Sequence, residues 1–166
     1  AVVEALLEVV GEGGTIVMPA QAALSDPATW VNPPVPESWY ETIRANEPAF
    51  DPDLTPIRGM GHVVEYFRRL SGVRHSGHPA VGFVARGAHA DTIAASHPLE
   101  HALDDSSPRG RLYELDARIV LIGVDHDNNT SLHLAEHRAD YPGKRTVTRS
   151  APMMSDGVRR WVDYAD

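Results

Sequence analysis

Apolar residues at the start of the chain recur at helical spacing. Val2, Val3, Leu6, Leu7 and Val10 share one side, with Glu4 and Glu8 opposite. Gly11, Gly13 and Gly14 end that helix, since glycine readily takes the conformations that terminate one. The apolar run 15–18, between Gly14 and Pro19, predicts a short buried strand. Val63, Val64, Phe67 and Leu70 predict a helix over 62–70. A strand is expected at 80–85 and a helix at 89–96. A short helix over 108–115 is opened by Ser106 and Ser107, whose hydroxyls suit helix capping. Residues 118–124, with Ile119-Val120-Leu121-Ile122 at their centre, read as the clearest buried strand, and 129–139 as the following helix. Two strand-like runs, 146–150 and 158–164, flank Asp156-Gly157, a strong hairpin signal. The pattern predicts an α/β class: a layered sheet with flanking helices and a C-terminal antiparallel hairpin.

Between residues 19 and 56 the periodicity disappears. Eight prolines fall there, together with Trp30, Trp39, Tyr40 and Phe50, and at most a short helix fits near 37–45. Pro-rich connections of this length are usually functional lids or binding loops, or disordered linkers. The aromatic residues argue against a linker. The chain opens on Ala1 inside a periodic segment and stops in a strand-like run, Trp161-Val162-Asp163-Tyr164. The expectation is a single domain over 1–166 that is truncated relative to a longer one, with a complete small protein as the alternative.

Composition narrows the class. A chain of 166 residues with 42% hydrophobic and 23% charged residues has the make-up of a globular domain. Its net charge of −8 disfavours nucleic acid and suits a cationic partner. No apolar run is long enough for a membrane span. With no cysteine, disulfides, thiolate metal sites and a cysteine nucleophile are excluded, and a cytoplasmic location is the default expectation.

The densest chemistry lies at Gly123-Val124-Asp125-His126-Asp127-Asn128-Asn129-Thr130, followed by Ser131-Leu132-His133-Leu134-Ala135-Glu136-His137. It sits where a predicted strand passes into a helix, the place where ligands gather in open α/β sheets. An imidazole there, His126, is well placed as a base, and the adjacent Asp127 can orient it. Turn and cap duties explain Asp127, Asn128 and Asn129 equally well. His133, Glu136 and His137 share one helical face and also match the H-x-x-E-H pattern of zinc peptidases. A zinc hydrolase is therefore a second hypothesis.

Taken together, residues 123–136 resemble the signature G-V-x-H-D-x-N-T-x-x-H-x-A-E of the aminoglycoside 3-N-acetyltransferase family. Further blocks agree in order. Met18-Pro19-Ala20 with Ser25-Asp26-Pro27 and Trp30 is similar to the family's substrate loop. Phe50-Asp51-Pro52 and Thr55-Pro56-Ile57-Arg58-Gly59-Met60-Gly61 resemble its coenzyme turn, and Arg74-His75-Ser76-Gly77-His78-Pro79 its R-S-x-H-P block. Arg111-Leu112-Tyr113-Glu114-Leu115 also fits.

The resemblance implies an acyltransferase that moves an acetyl group from acetyl-CoA to the 3-amino group of a 2-deoxystreptamine aminoglycoside, conferring antibiotic resistance, with no metal. It implies His126 as base, with Glu136 or Asp127 orienting it, or with Glu136 binding a substrate ammonium. Arg58, Gly59, Met60, Gly61, Arg74, Ser76 and Thr130 would serve acetyl-CoA. Asp26, Trp30, Tyr40 and Glu136 would meet the cationic antibiotic. Two departures stand out: Asp125 where the family often has Gly, and Gly82 where it often has Ser. Members also usually carry a further N-terminal strand, ending in a turn at the coenzyme site, and further C-terminal helices. A relative that binds coenzyme or antibiotic without turnover is the third hypothesis.

Overall fold

The structure is a computed structural model that describes residues 1–166. It is a mixed helix-and-sheet fold built on two small antiparallel sheets. In the first, β1 (Thr15–Pro19) and β2 (Arg74–His75) flank β3 (Phe83–Gly87). Thr15 lies opposite Gly87 and Pro19 opposite Phe83. At that end, a Cβ on Gly87 would fall 2.0 Å from the Gly14 carbonyl oxygen, so only glycine fits the approach.

One face of this sheet is covered by α1 (Val2–Val10) and α3 (Gly61–Phe67). Val3, Ala20, Phe67 and Val84 form the buried cluster there, with Leu7, Ile16, Val64 and Leu70 packed around it. The helical spacing of the apolar residues therefore translates directly into this contact. Ala85 packs on Ala90 and Ile93 of α4 (Ala90–Ala94). Arg111 of α5 (Pro108–Glu114) ties the two helices, its guanidinium donating to the Ile93 carbonyl at 3.0–3.1 Å. The predicted cap is realised at α5, where Ser107 Oγ accepts from the Arg109 N–H at 3.1 Å.

The C-terminal hairpin pairs β4 (Thr148–Ser155) with β5 (Val158–Ala165). Asp156 and Gly157 both take positive φ, 51° and 74°, as a two-residue hairpin turn requires. Ala151 and Tyr164 pack against Ala22 and Leu24. The proline-rich stretch 19–56 lies against this hairpin. It contains turns of 3-10 helix at Pro27–Thr29 and Glu37–Trp39, then α2 (Tyr40–Asn46). Trp161 Nε1 donates to the Arg44 carbonyl at 3.0 Å, and the Phe50 N–H to the Pro152 carbonyl at 2.8 Å.

The expected strand at 118–124 does not form. Ile119, Val120, Ile122 and Val124 are 57, 68, 58 and 46% exposed, and no backbone group of 118–124 is hydrogen-bonded to another backbone group. An apolar run signals burial, but a strand exists only beside another strand. Here β3 takes β1 and β2, while β4 and β5 take each other. The strand expected at 80–85 starts later, at Phe83, because the Ala80 and Val81 N–H groups are taken by His78 Nδ1, both at 3.1 Å. The last helix, α6, runs Leu132–Arg138, after a separate 3-10 turn at His126–Asn128. No helix is long and apolar enough to cross a membrane.

Candidate active site

His126 opens the 3-10 turn and is exposed, as is Asp127. The buried Asn129 accepts the Ser131 N–H on Oδ1 at 3.1 Å, which turns its Nδ2 toward His126 Nδ1, 3.4 Å away. That contact leaves Nδ1 as an acceptor, so the neutral ring carries its proton on Nε2. Thr130 follows, half-buried. On α6, His133 Nδ1 hydrogen-bonds the Glu136 carboxylate. That bond, helped by the charges of His137 and Arg109, holds the Glu136 carboxyl below the usual range. Glu136 is thus engaged by His133 and not by His126. His137 faces the ring of His101, with centroids 6.4 Å apart. No group of three or more His, Asp or Glu side chains is positioned to hold a metal ion, so the H-x-x-E-H face does not assemble a zinc site.

A second polar cluster lies under β3. Ser76 and His78 are buried. His97 Nε2 faces the Ala102 carbonyl at 2.8 Å and therefore donates to it. Its Nδ1 accepts the Ser76 hydroxyl at 2.9 Å, while Ser76 Oγ accepts the Phe83 N–H at 2.8 Å. Burial pushes His97 down to about 3 and also lowers His78. His78 is saturated as well, donating from Nε2 to the Leu99 carbonyl at 3.1 Å. Ser76, His78 and His75 border a cleft of about 10 Å³, space for one water at most.

Arg109 is only 2% exposed, and all three of its guanidinium nitrogens lack a hydrogen-bond partner. Burial pushes it down to about 10. The sequence singled out neither His97 nor Arg109. Their one legible signal was position: Arg109 follows Ser107-Pro108, a capped start that burial then covers.

The glycine turn comes before α3. Gly59 and Gly61 take positive φ, 70° and 78°, and neither has an atom within 4 Å of where a Cβ would stand. Met60 caps α3. Arg58 is exposed and only 3.7 Å from Glu47, whereas Arg74 is held by Asp91. The turn and Arg58 leave room and charge for a phosphorylated coenzyme, but the Ser76 hydroxyl is already committed. In the acidic loop, Asp26 accepts two bonds from Arg44 at 2.7 and 2.8 Å, which lowers its pKa. The Arg44 guanidinium also lies 5.6 Å from the centre of the Tyr40 ring. Trp30 Nε1 donates to Ser25 at 3.2 Å. Asp26 and Tyr40 therefore meet around one arginine, Arg44, which the sequence reading did not select.

Solved structures of aminoglycoside acetyltransferases share this mixed helix-and-sheet fold; that of AAC(3)-Xa superposes with a TM-score of 0.89 at 37% identity, covering 99% of this chain and 57% of the other. The family model for aminoglycoside 3-N-acetyltransferase matches residues 1–166, and the chain belongs to that family. It is 46% identical over 168 residues to the SPbeta prophage-derived aminoglycoside N(3')-acetyltransferase-like protein YokD of Bacillus subtilis (strain 168), covering 100% of this chain and 61% of that protein. The crystal structure of YokD superposes with a TM-score of 0.94, covering 99% of this chain and 61% of the other. Aminoglycoside N(3)-acetyltransferase VII of Streptomyces paromomycinus is 37% identical, over 99% of this chain and 57% of its own length. A structure of AAC-IIIb in binary complex with CoASH is 33% identical with a TM-score of 0.83, covering 99% of this chain and 61% of that one. The chain thus spans about three-fifths of the length of these relatives.

Proposed function

We propose that this chain, as one domain over residues 1–166, supplies the acid–base and acceptor-binding part of an enzyme that transfers acetyl from acetyl-CoA to the 3-amino group of a 2-deoxystreptamine aminoglycoside. The family match over the whole chain carries this reading. An alkyl amine is mostly protonated at neutral pH, so a base must free its lone pair. His126 is exposed, and its basic nitrogen, Nδ1, would take that proton by giving up its 3.4 Å contact with the Asn129 amide. The amine nitrogen then attacks the thioester carbonyl. The N–C bond forms, the C–S bond breaks, and the departing sulfur takes up a proton to leave as the CoA thiol.

Arg58 and the Gly59-Met60-Gly61 turn would hold the coenzyme, with Arg74 and Thr130 near it and Ser76 supporting the sheet beneath. Acetyl-CoA supplies the activated acyl group. Asp26, Trp30 and Tyr40 would meet the sugar rings and ammonium groups, and the negative net charge favours such a cation. The Glu136 carboxylate favours a second reading of the base, because it sets the tautomer of His133 and leaves Nε2 of that ring free. Thiol release with acetyl-CoA and a panel of aminoglycosides tests the activity. Absence of release with every acceptor, while antibiotic still binds in calorimetry, would instead identify a binding protein without turnover.

A further inference from the structure

We propose that His75 is a positioning residue for the Gly59-Met60-Gly61 turn: as a doubly protonated imidazolium it ties the chain entering that turn to the helix leaving it, so that coenzyme binding weakens as pH rises. The coenzyme part of this inference rests on the transferase reading above; the clamp itself does not.

Both ring nitrogens of His75 face backbone carbonyl oxygens, Nδ1 that of Pro52 at 2.6 Å and Nε2 that of Arg68 at 3.0 Å. A carbonyl oxygen can only accept, so each nitrogen has to donate, and a ring that donates twice carries two protons. A neutral ring, in either tautomer, would aim a lone pair at one of the two oxygens. Turning the ring over would bring two carbons to them and forfeit both bonds. The side chain is only 11% exposed, so water is poorly placed to take over either bond.

The two carbonyls lie on opposite sides of the glycine turn. Pro52 belongs to the stretch that runs into it, and Arg68 caps the C-terminal end of α3, the helix that Gly61 opens. Carbonyls at a helix C-terminus lack helical partners and carry partial negative charge, so a cation suits them. A second cation grips the same stretch: the buried Arg68 donates from Nη2 to the Asp53 carbonyl at 2.9 Å. The Asp51 carboxylate closes the turn from within, accepting the Asp53 and Leu54 N–H groups at 2.8 and 3.0 Å. Residues 51–54 are therefore held against α3 from two sides, and Arg58 and Gly59 follow directly.

The charged groups around the ring are few. Asp53 Oδ1, 3.4 Å from Nδ1, is its counter-charge. Arg68 has the same sign as the imidazolium but is paired with Glu65 at 3.6 Å, and Arg74 is held by Asp91. From β3, Val84 stands opposite His75 and carries no charge. His78, which lines the same cleft, is kept neutral by burial. Loss of one proton from His75 thus turns an attraction into a repulsion at Pro52 or at Arg68, and the glycine turn loses one of its anchors.

The test needs no turnover. Coenzyme A binding is measured by calorimetry at pH 6 and pH 8.5, on either side of the usual imidazole range, in the 166-residue chain and in His75→Arg, whose guanidinium keeps its donors at both pH values. We expect affinity to fall by about three- to tenfold more in the chain than in the variant, the worth of one hydrogen bond. Ionisation of the coenzyme's own phosphates is common to both proteins and cancels. An equal pH dependence in the two overturns the proposal. Should His75→Arg not fold, nitrogen NMR of the chain at pH 6 decides: two His75 ring N–H protons protected from exchange with water support the clamp, and a bare ring nitrogen overturns it. If the chain binds no coenzyme A even at pH 6, the coenzyme part of the inference is overturned, while the same spectrum still judges the clamp, so the two failures are distinguishable.

Discussion

The Ser76 hydroxyl donates to Nδ1 of His97 across 2.9 Å, in the layer directly beneath β3. The same oxygen accepts the Phe83 N–H, so one small side chain joins the sheet to the segment after α4. Although this looks like a serine nucleophile beside a base, His97 is pushed down to about 3, so it has almost no tendency to take the proton. The pair is architectural. Ser76→Ala removes the donor to His97 and leaves the buried Phe83 N–H without an acceptor. Urea unfolding of that variant should show a loss of about 1–3 kcal/mol. A loss below ~0.5 kcal/mol would mean the network carries no stability.

Acid should weaken the fold before the carboxylates titrate. His97 and His78 both have lowered folded-state values, set first by burial. The unfolded chain protonates these rings near pH 6.5, whereas the folded chain refuses the protons. Stability is therefore fully present above about pH 6.5 and falls as pH drops toward about 3, the folded value of His97. His97 contributes a slope approaching ~1.4 kcal/mol per pH unit within that window, and His78 acts in the same direction. Unfolding free energies measured between pH 7.5 and 5 should show the decline, and His97→Gln should flatten it. A pH-independent stability over that range would contradict the buried neutral pair.

Local signals were legible where they are self-contained. The Ser107 cap, the glycine stop after Val10 and the Asp156-Gly157 turn each act within a few residues, and all three appear in the structure. The helix after the glycine turn was legible because its apolar face meets the core at Phe67. What sequence could not supply is pairing. The run Ile119-Val120-Leu121-Ile122 has a strand's composition, yet it pairs with no strand of either sheet and stays largely exposed. The two-residue β2 was missed because it is too short to show alternation. In the candidate site, the His–Glu spacing was visible because a helix places i and i+3 together. Arg109 and His97 were not, since their importance comes from what buries them.

Gly110 should be unusually intolerant. A Cβ there would fall 1.9 Å from the Asp105 carbonyl oxygen, a clash with backbone that no rotamer relieves. Gly110→Ala must push α5 away from residues 104–106, loosening the layer that carries Ser107 and Arg109. The expected loss is about 1–3 kcal/mol or more, as for overpacked cores. Gly13→Ala is the control, since nothing lies within 4 Å of its Cβ position. Chemical denaturation of the two variants should separate them clearly, and equal midpoints would refute the close packing.

Kinetics can separate the two histidines of the candidate site. If His126 takes the amine proton, His126→Ala should lower kcat/KM for an aminoglycoside by about 10²–10⁴. His133→Ala should then have a smaller effect, expressed in KM, because it frees Glu136 from its hydrogen bond without removing the base. If instead His133 and Glu136 act as an oriented base pair, His133→Ala and Glu136→Gln should each lower kcat strongly, and the double variant should be little worse than either alone. The geometry makes the comparison sharp: Glu136 bonds His133, whereas His126 meets only the Asn129 amide at 3.4 Å. Full activity in His126→Ala would move the proton-transfer step onto α6.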